Sequence, residues 1–379
     1  MAKILATHAG SLPRPPGLAH LFVQKESGEA VDEAAFEAEI DRAVADCVAH
    51  QAACGLDIIN DGEQGRAGFF SMVRWRMTGF GGQGLPRAFM DIVSHPDFLE
   101  IMQRGMARES VSLVTPPKAI GAVSYISADP VRRDVARLVE NLPAGRSGFL
   151  TAPSPGIVAS ALKNEFYADI ESYIAAVGEA LAVEYRTIVE AGLDLQIDAP
   201  DLAMERAVLF HDRPLEDFLG FVRMVIATIN KAVAPLPREK IRLHVCWGNY
   251  EGPHERDVDL ADIWSEIAKA NVGAYLLSMA NPRHAHDYHL FERGVLPAHA
   301  KLIVGAIDTT TNYVEHPETV ADRLILAAGA VGDPARVLAG TDCGFETSTG
   351  IGMVAPSLVW RKLTALSEGA AIATKRLFG

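Results

Sequence analysis

A histidine and a cysteine two residues apart, His244 and Cys246, stand at the end of the apolar run Ile241-Arg242-Leu243. A second thiol recurs far downstream, in Gly340-Thr341-Asp342-Cys343-Gly344. If the first run is a β-strand, residues i and i+2 point to the same side, so His244 and Cys246 can reach one ion. Imidazole and thiolate are the donors that zinc prefers, and Cys343 supplies a third. Three protein ligands leave one coordination position open, and a substrate thiol bound there would be held as thiolate at neutral pH. The competing reading of the same residues is two buried cysteines and a core histidine.

The elements that would bring these residues together can be read from the apolar patterning. Short β-rich runs closed by polar or Gly/Pro punctuation occur at Leu56–Asn60, Ala119–Tyr125, Gly148–Ala152, Leu193–Asp198, Ile241–Trp247, Ala274–Met279, Leu302–Ile307 and Val337–Thr341. Helix-like segments with 3.6-residue periodicity lie between most of them: Ala168–Ala191, Pro214–Ala234, Leu260–Asn271, His316–Val331 and Ala355–Leu377. A further helix, Val31–Cys54, precedes the first run. Eight alternations of strand and helix predict a single (β/α)8 TIM barrel over residues 1–379. It carries an extra N-terminal segment and an insertion, Arg66–Lys118, after the first strand.

In such barrels the active site lies at the carboxyl ends of the strands. There the sequence places Asp61-Gly62-Glu63, Pro153-Ser154-Pro155, Asp198-Ala199-Pro200, His244-Val245-Cys246, Asn281-Pro282-Arg283-His284, Asp308-Thr309-Thr310 and Asp342-Cys343. Each polar residue alone could be a helix N-cap. Their collection at one rim, with three ligand-type side chains among them, tips the reading toward a zinc site.

Bulk properties narrow the classes. The 379 residues are 49% hydrophobic and 22% charged, which suits a globular chain with ample core. Lys and Arg number 35 against 48 Asp and Glu, a net charge of −13, and no basic stripe invites nucleic acid or an anionic membrane. Four cysteines are too few for a disulfide scaffold and suit a reducing cytoplasm. No apolar run approaches a membrane span, and the first residues lack the apolar stretch of a signal peptide.

Several segments resemble the catalytic domain of cobalamin-independent methionine synthase and its single-domain relatives, which include epoxyalkane:coenzyme M transferase. These are Thr7-His8-Ala9-Gly10-Ser11-Leu12-Pro13-Arg14, Asp61-Gly62-Glu63-Gln64-Gly65-Arg66, Leu195-Gln196-Ile197-Asp198, His244-Val245-Cys246, Val304-Gly305-Ala306-Ile307-Asp308 and Gly340-Thr341-Asp342-Cys343-Gly344. The resemblance runs from about residue 7 to the C-terminus, in the family's order. It implies zinc on His244, Cys246 and Cys343, and binding of the amino-acid part of an acceptor thiol by Ser11, Glu63 and Asp198. Two carboxylates would pair with an ammonium, and Ser11 would donate to a carboxylate.

Two departures stand out. The zinc-ligand Glu that the methionine synthases supply from the sixth strand end is absent from Leu276-Leu277-Ser278-Met279-Ala280-Asn281, leaving Glu251 and His284 as candidates for a fourth ligand. The Asp-x-His of the folate-using enzymes reads Asp308-Thr309-Thr310, without the histidine. Asp308 is then expected to orient the donor or a histidine, and His8, or His284, His286 and His289, to stand in as acid. Arg14 and Arg283 could anchor an anionic tail, and Trp247, Tyr250 and Phe345 could wall the pocket.

The expected activity is therefore zinc-dependent S-alkyl transfer to a small thiol, foremost methyl transfer to a homocysteine-like acceptor. The expected partners are that thiol and an alkyl donor. Methylcobalamin on a corrinoid protein is one candidate donor, and methyltetrahydrofolate is disfavoured. A homodimer is compatible with a barrel of this size. The alternatives are an epoxide:thiol transferase of the coenzyme M type and a non-catalytic thiol- or corrinoid-binding relative. A zinc-free decarboxylase-type barrel would want arginine clamps, and a zinc hydrolase would want carboxylate ligands.

Overall fold

The structure is a computed structural model that describes residues 2–84, 89–105 and 116–379. Its strands, in chain order, are β1 (Ile58–Ile59), β2 (Phe80–Gly81), β3 (Lys118–Ala119), β4 (Ser147–Pro153), β5 (Asp194–Asp198), β6 (Ile241–Val245), β7 (Ala274–Ser278), β8 (Lys301–Ile307) and β9 (Val337–Thr341). Seven of them form one parallel sheet in the order β1-β4-β5-β6-β7-β8-β9. The strands from β4 onward are buried along nearly their whole length, as parallel strands covered on both faces require. The result is an α/β fold built on a curled parallel sheet with helices packed around it.

Helices connect the strands, and their starts follow from capping chemistry. Asp32 accepts from the amides of Ala34 and Ala35 to start Glu33–Ala53, and Asp169 accepts from Ser172 to start Ile170–Glu190. Helix Pro317–Val331 stops at Gly332, whose φ of +77° suits a residue without a Cβ. No helix among the described residues is long and apolar enough to cross a membrane.

One predicted strand belongs elsewhere. The run Ala119–Tyr125 does not join the parallel sheet: β3 pairs antiparallel with β2, and Tyr125 bridges to Met77. Gly79, at φ +85°, turns the chain here, and a side chain on it would sit 2.6 Å from the carbonyl oxygen of Gly121. Close backbone approach of this kind pairs two segments remote in sequence into a separate two-stranded sheet rather than adding a stave to the main one. The free edges of that sheet are met instead by residues 5–7. Thr7 N–H donates to Ala339 O (2.9 Å) and Ala339 N–H to Leu5 O (2.9 Å). On the other side, Ala6 O accepts from the amides of Asp57 (2.9 Å) and Ile58 (3.2 Å). Parts of the Arg66–Lys118 insertion lie outside the described residues.

The interior under the strand ends contains a buried cation. Arg242, on β6, lies over the Phe149 ring at 3.6 Å and donates to Gln196 Oε1 (2.7 Å), Thr7 Oγ1 (3.0 Å) and His8 O (2.6 Å). These bonds fasten the N-terminal segment to the sheet. Deleting residues 2–7 therefore leaves Arg242 short of acceptors and both sheet edges open. A loss of roughly 3 kcal/mol or more is expected in urea unfolding, because buried groups left without partners cost about 1–3 kcal/mol each. An unchanged unfolding midpoint would show that the segment is an accessory.

Candidate metal centre and its pocket

His244, Cys246 and Cys343 converge. Their ligand atoms lie within 4.8 Å of one another, and all three residues are buried. The convergence follows from strand geometry: His244 and Cys246 share one side of the β6 end, while Cys343 sits two residues beyond β9. A tetrahedral zinc, with bonds of about 2.0–2.3 Å, separates its ligand atoms by roughly 3.5–4 Å, so the donor set and spacing fit such an ion.

The electrostatics of the three are tightly linked. A hydrogen bond from Cys343, and then the charge of His244, hold the Cys246 thiol well below its usual range, against burial. The same hydrogen bond, with burial, pushes Cys343 well above it. Burial acts to lower the pKa of His244, but Cys246 and the bond to Asp198 outweigh it and raise it to about 10.

Asp198 is next to His244 in the sheet, residue for residue in the β5–β6 register. Its Oδ1 lies 2.9 Å from His244 Nδ1 and also accepts from Gln196 Nε2 (2.6 Å). A carboxylate on one ring nitrogen fixes the imidazole and leaves the other for a metal. Nε2 lies 3.2 Å from the carbonyl oxygen of Asp342. Asp198 thus has a role toward His244 that a parallel register between the two strands could have revealed, since it sets the two residues side by side.

The remaining expectations separate cleanly. Glu63 is buried, at φ +58°, with Oε1 accepting from Thr151 Oγ1 (2.8 Å) and Oε2 without a hydrogen-bond partner among the described residues. Burial raises its pKa to about 7 despite Arg66. Ser11 packs against Gly344: a side chain on that glycine would collide with Ser11 Oγ. Asp308 is buried in the pocket wall, but its Oδ1 caps its own loop, accepting from Thr310 N (2.7 Å) and Oγ1 (2.8 Å). No histidine is among its hydrogen-bond partners in the described residues.

Two residues turn out otherwise than expected. Arg14 donates to the carbonyl oxygens of Arg66 (3.0 Å), Glu346 (3.1 Å) and Glu63 (2.9 Å), so its guanidinium ties loops together and does not face a substrate tail. His8 is a core histidine, not an acid. Its Nε2 donates to Gln51 Oε1 (2.8 Å), Nδ1 accepts from Gly10 N (3.2 Å), and burial lowers its pKa to about 3.

Glu251 is exposed, and so are Arg283, His286 and His289. His284 is buried and lines the pocket, stacked on Trp247 at 3.8 Å. Both its nitrogens are engaged, by Asp257 Oδ2 (2.9 Å) and Asp287 Oδ2 (3.2 Å), and these carboxylates overcome burial to raise its pKa to about 9. Neither Glu251 nor His284 is placed to be a fourth ligand. Asp257 also pairs with His254 Nδ1 (3.0 Å), and a second group of ligand-type side chains, Asp91, His254 and Asp257, lies along this wall. Cys246 and Cys343 face the pocket with Asn249, Asn281, Thr309 and Thr310. Trp247 and Phe345 are buried beside the ligands, and Tyr250 is half-buried.

Residues 4–358 match the model of the cobalamin-independent synthase catalytic domain, and the chain belongs to that family. It is similar to the methionine synthase of Pyrococcus furiosus, at 25% identity over 89% of this chain and 85% of the relative. The methionine synthase of Methanothermobacter marburgensis is 26% identical over 90% of this chain and 93% of its own length. In fold the chain resembles a B12-independent methionine synthase from Shewanella sp. W3-18-1 solved with selenomethionine, with a TM-score of 0.75, 23% identity and 99% of each chain covered.

The lowered pKa of His8 carries a stability consequence. The unfolded chain binds a proton at this residue near pH 6.5 and the folded chain only near 3, so stability is present above 6.5 and lost as pH falls through that window. Wild type should lose roughly 1.4 kcal/mol per pH unit below 6.5 relative to His8→Asn. Urea unfolding at several pH values reads this directly, and parallel curves would refute the buried neutral imidazole.

Proposed function

We propose that this chain is a zinc-dependent thiol methyltransferase acting on a homocysteine-like acceptor. The observation that carries the reading is the meeting of an imidazole and two thiols, from β6 and beyond β9, beside a pocket. Zinc held there by His244, Cys246 and Cys343 would keep an acceptor thiol deprotonated and nucleophilic at neutral pH. The names of the relatives support the activity, and the selenomethionine bound by the Shewanella protein supports a methionine-like product. We read the scaffold as one (β/α)8 barrel domain, with residues 5–7 as its eighth stave.

The chain's own residues supply placement. Asp198 orients His244 through Nδ1. Glu63, with Oε2 unpartnered and the charge of Asp198 nearby, offers the acceptor's ammonium a buried anionic partner. Ser11, against Gly344, is close enough to the Cys343 end to receive the acceptor's carboxylate. Trp247 and Phe345 exclude water beside the sulfur ligands. Fixing both reactants in this way converts a bimolecular displacement into an oriented one.

The donor follows from proton supply. Both ring nitrogens of His254 and of His284 are engaged, and Asp308 is spent on Thr310. An epoxide's alkoxide needs a proton that these hydrogen-bonded residues would have to release, whereas a donor whose leaving group departs without a proton makes no such demand, and that favours the latter. Methylcobalamin, and with it a corrinoid partner, gains no support from a family described as cobalamin-independent.

Cys246→Ser should abolish both metal content and methyl transfer to homocysteine; full zinc content with residual turnover would contradict the assignment. Glu63 ionises near pH 7, so the KM for an amino thiol should fall as pH rises through 7, and Glu63→Gln should raise it about 10–100-fold and flatten the profile. A thiol without the amino group should show neither effect.

A further inference from the structure

We infer that Asp342 is a positioning residue for the three-ligand site, fastening the outgoing end of β7 to the segment that carries Cys343. The inference rests on the metal reading above and concerns a residue that coordinates nothing itself.

β7 brings no carboxylate, imidazole or thiol to the site, yet its end borders it. Three successive amides there belong to Met279 and Ala280, which are buried, and Asn281, which is partly buried, and each needs an acceptor. Asp342 answers all three: Oδ1 accepts from Met279 N (2.8 Å) and Ala280 N (2.9 Å), and Oδ2 from Asn281 N (2.8 Å). Amide bonds to an ionised carboxylate are among the stronger ones available to a chain.

The backbone of the same residue completes the clasp. Its amide donates to Ile307 O at the end of β8 (2.9 Å). Its carbonyl oxygen accepts from Ser278 Oγ (2.9 Å) and lies 3.2 Å from His244 Nε2. One residue therefore ties the ends of β7 and β8 together, and the next residue in the chain is Cys343. Room for the carboxylate is made by Gly305, because any side chain there would collide with Asp342 Oδ1. A thiol whose neighbour is held at so many points has little freedom in where its sulfur goes. That preorganisation is what a three-ligand site lacking a fourth protein ligand most needs.

The test is zinc affinity, by chelator competition, and the cobalt(II) absorption of the substituted protein, in wild type and Asp342→Asn. Asn cannot accept three amide bonds, and its NH2 faces a donor. The variant should bind zinc about 10–100-fold more weakly, as loss of a supporting hydrogen bond does elsewhere, with shifted cobalt d–d bands and the sulfur charge-transfer band retained. A purely structural role would lower the melting temperature of the metal-free protein while leaving affinity and spectrum unchanged, and that result would overturn the proposal. If Asp342→Asn does not fold, Ser278→Ala, which removes only the bond to the Asp342 carbonyl, should still weaken zinc binding measurably; unchanged affinity there overturns it too. A wild-type protein that binds neither zinc nor cobalt would sink the metal reading itself.

Discussion

The pairing of Asp198 with His244 is the interaction on which the site depends. It exists because β5 and β6 run parallel with these two residues in register, so a carboxylate and an imidazole meet at 2.9 Å in the interior. A slip of one residue would turn His244 and Cys246 to the opposite side and break the pair. The sheet register is thus a chemical specification as well as a structural one. Burying a carboxylate, an imidazole and two thiols together is tolerable only because each compensates another's charge or proton.

The same logic runs around the rim. Glu63 is held in a left-handed backbone conformation, with one oxygen bonded and one orphaned in the interior. An arrangement chosen for stability alone would not leave that oxygen bare. A left-handed non-glycine residue carrying an unsatisfied buried oxygen is a local cost to folding. Arg14 and Arg242 work the other way. Their guanidiniums are consumed by backbone and amide oxygens and hold the loops on which Glu63 and the N-terminal motif sit.

Much of this was legible from the chain. Seven of the main-sheet strands announced themselves as apolar runs ending in polar residues, and β9 appears with the bounds the pattern predicts. The i, i+2 spacing of His244 and Cys246 carries geometry in itself, so their shared direction was readable once a strand was assigned. The segment that meets the sheet's two edges was not. Residues 5–7 make a single bridge with Ala339, too short to stand out, whereas Ala119–Tyr125 has strand composition but is diverted by the turn at Gly79. The destinies of His8 and Arg14 were also hidden. Residue type tells what a side chain can donate, but only tertiary packing shows that Gln51 or three carbonyls have already taken it. His284 differs from His286 and His289 for the same reason: besides the local Asp287, it meets Asp257, which comes from another loop.

The bonds that join residues 5–7 to Ala339 span more than 330 positions of sequence. On a ribosome, the beginning of this chain must wait for nearly its whole length before it can find that partner. During that wait the edges of β1 and, later, β9 expose unpaired peptide groups to other nascent chains. Contacts this remote in sequence also slow the final step of folding, since the closing loop costs entropy before any bond rewards it. His244, Cys246 and Cys343 are therefore brought together late, and this protein should depend on chaperone protection during synthesis more than its compact finished form suggests.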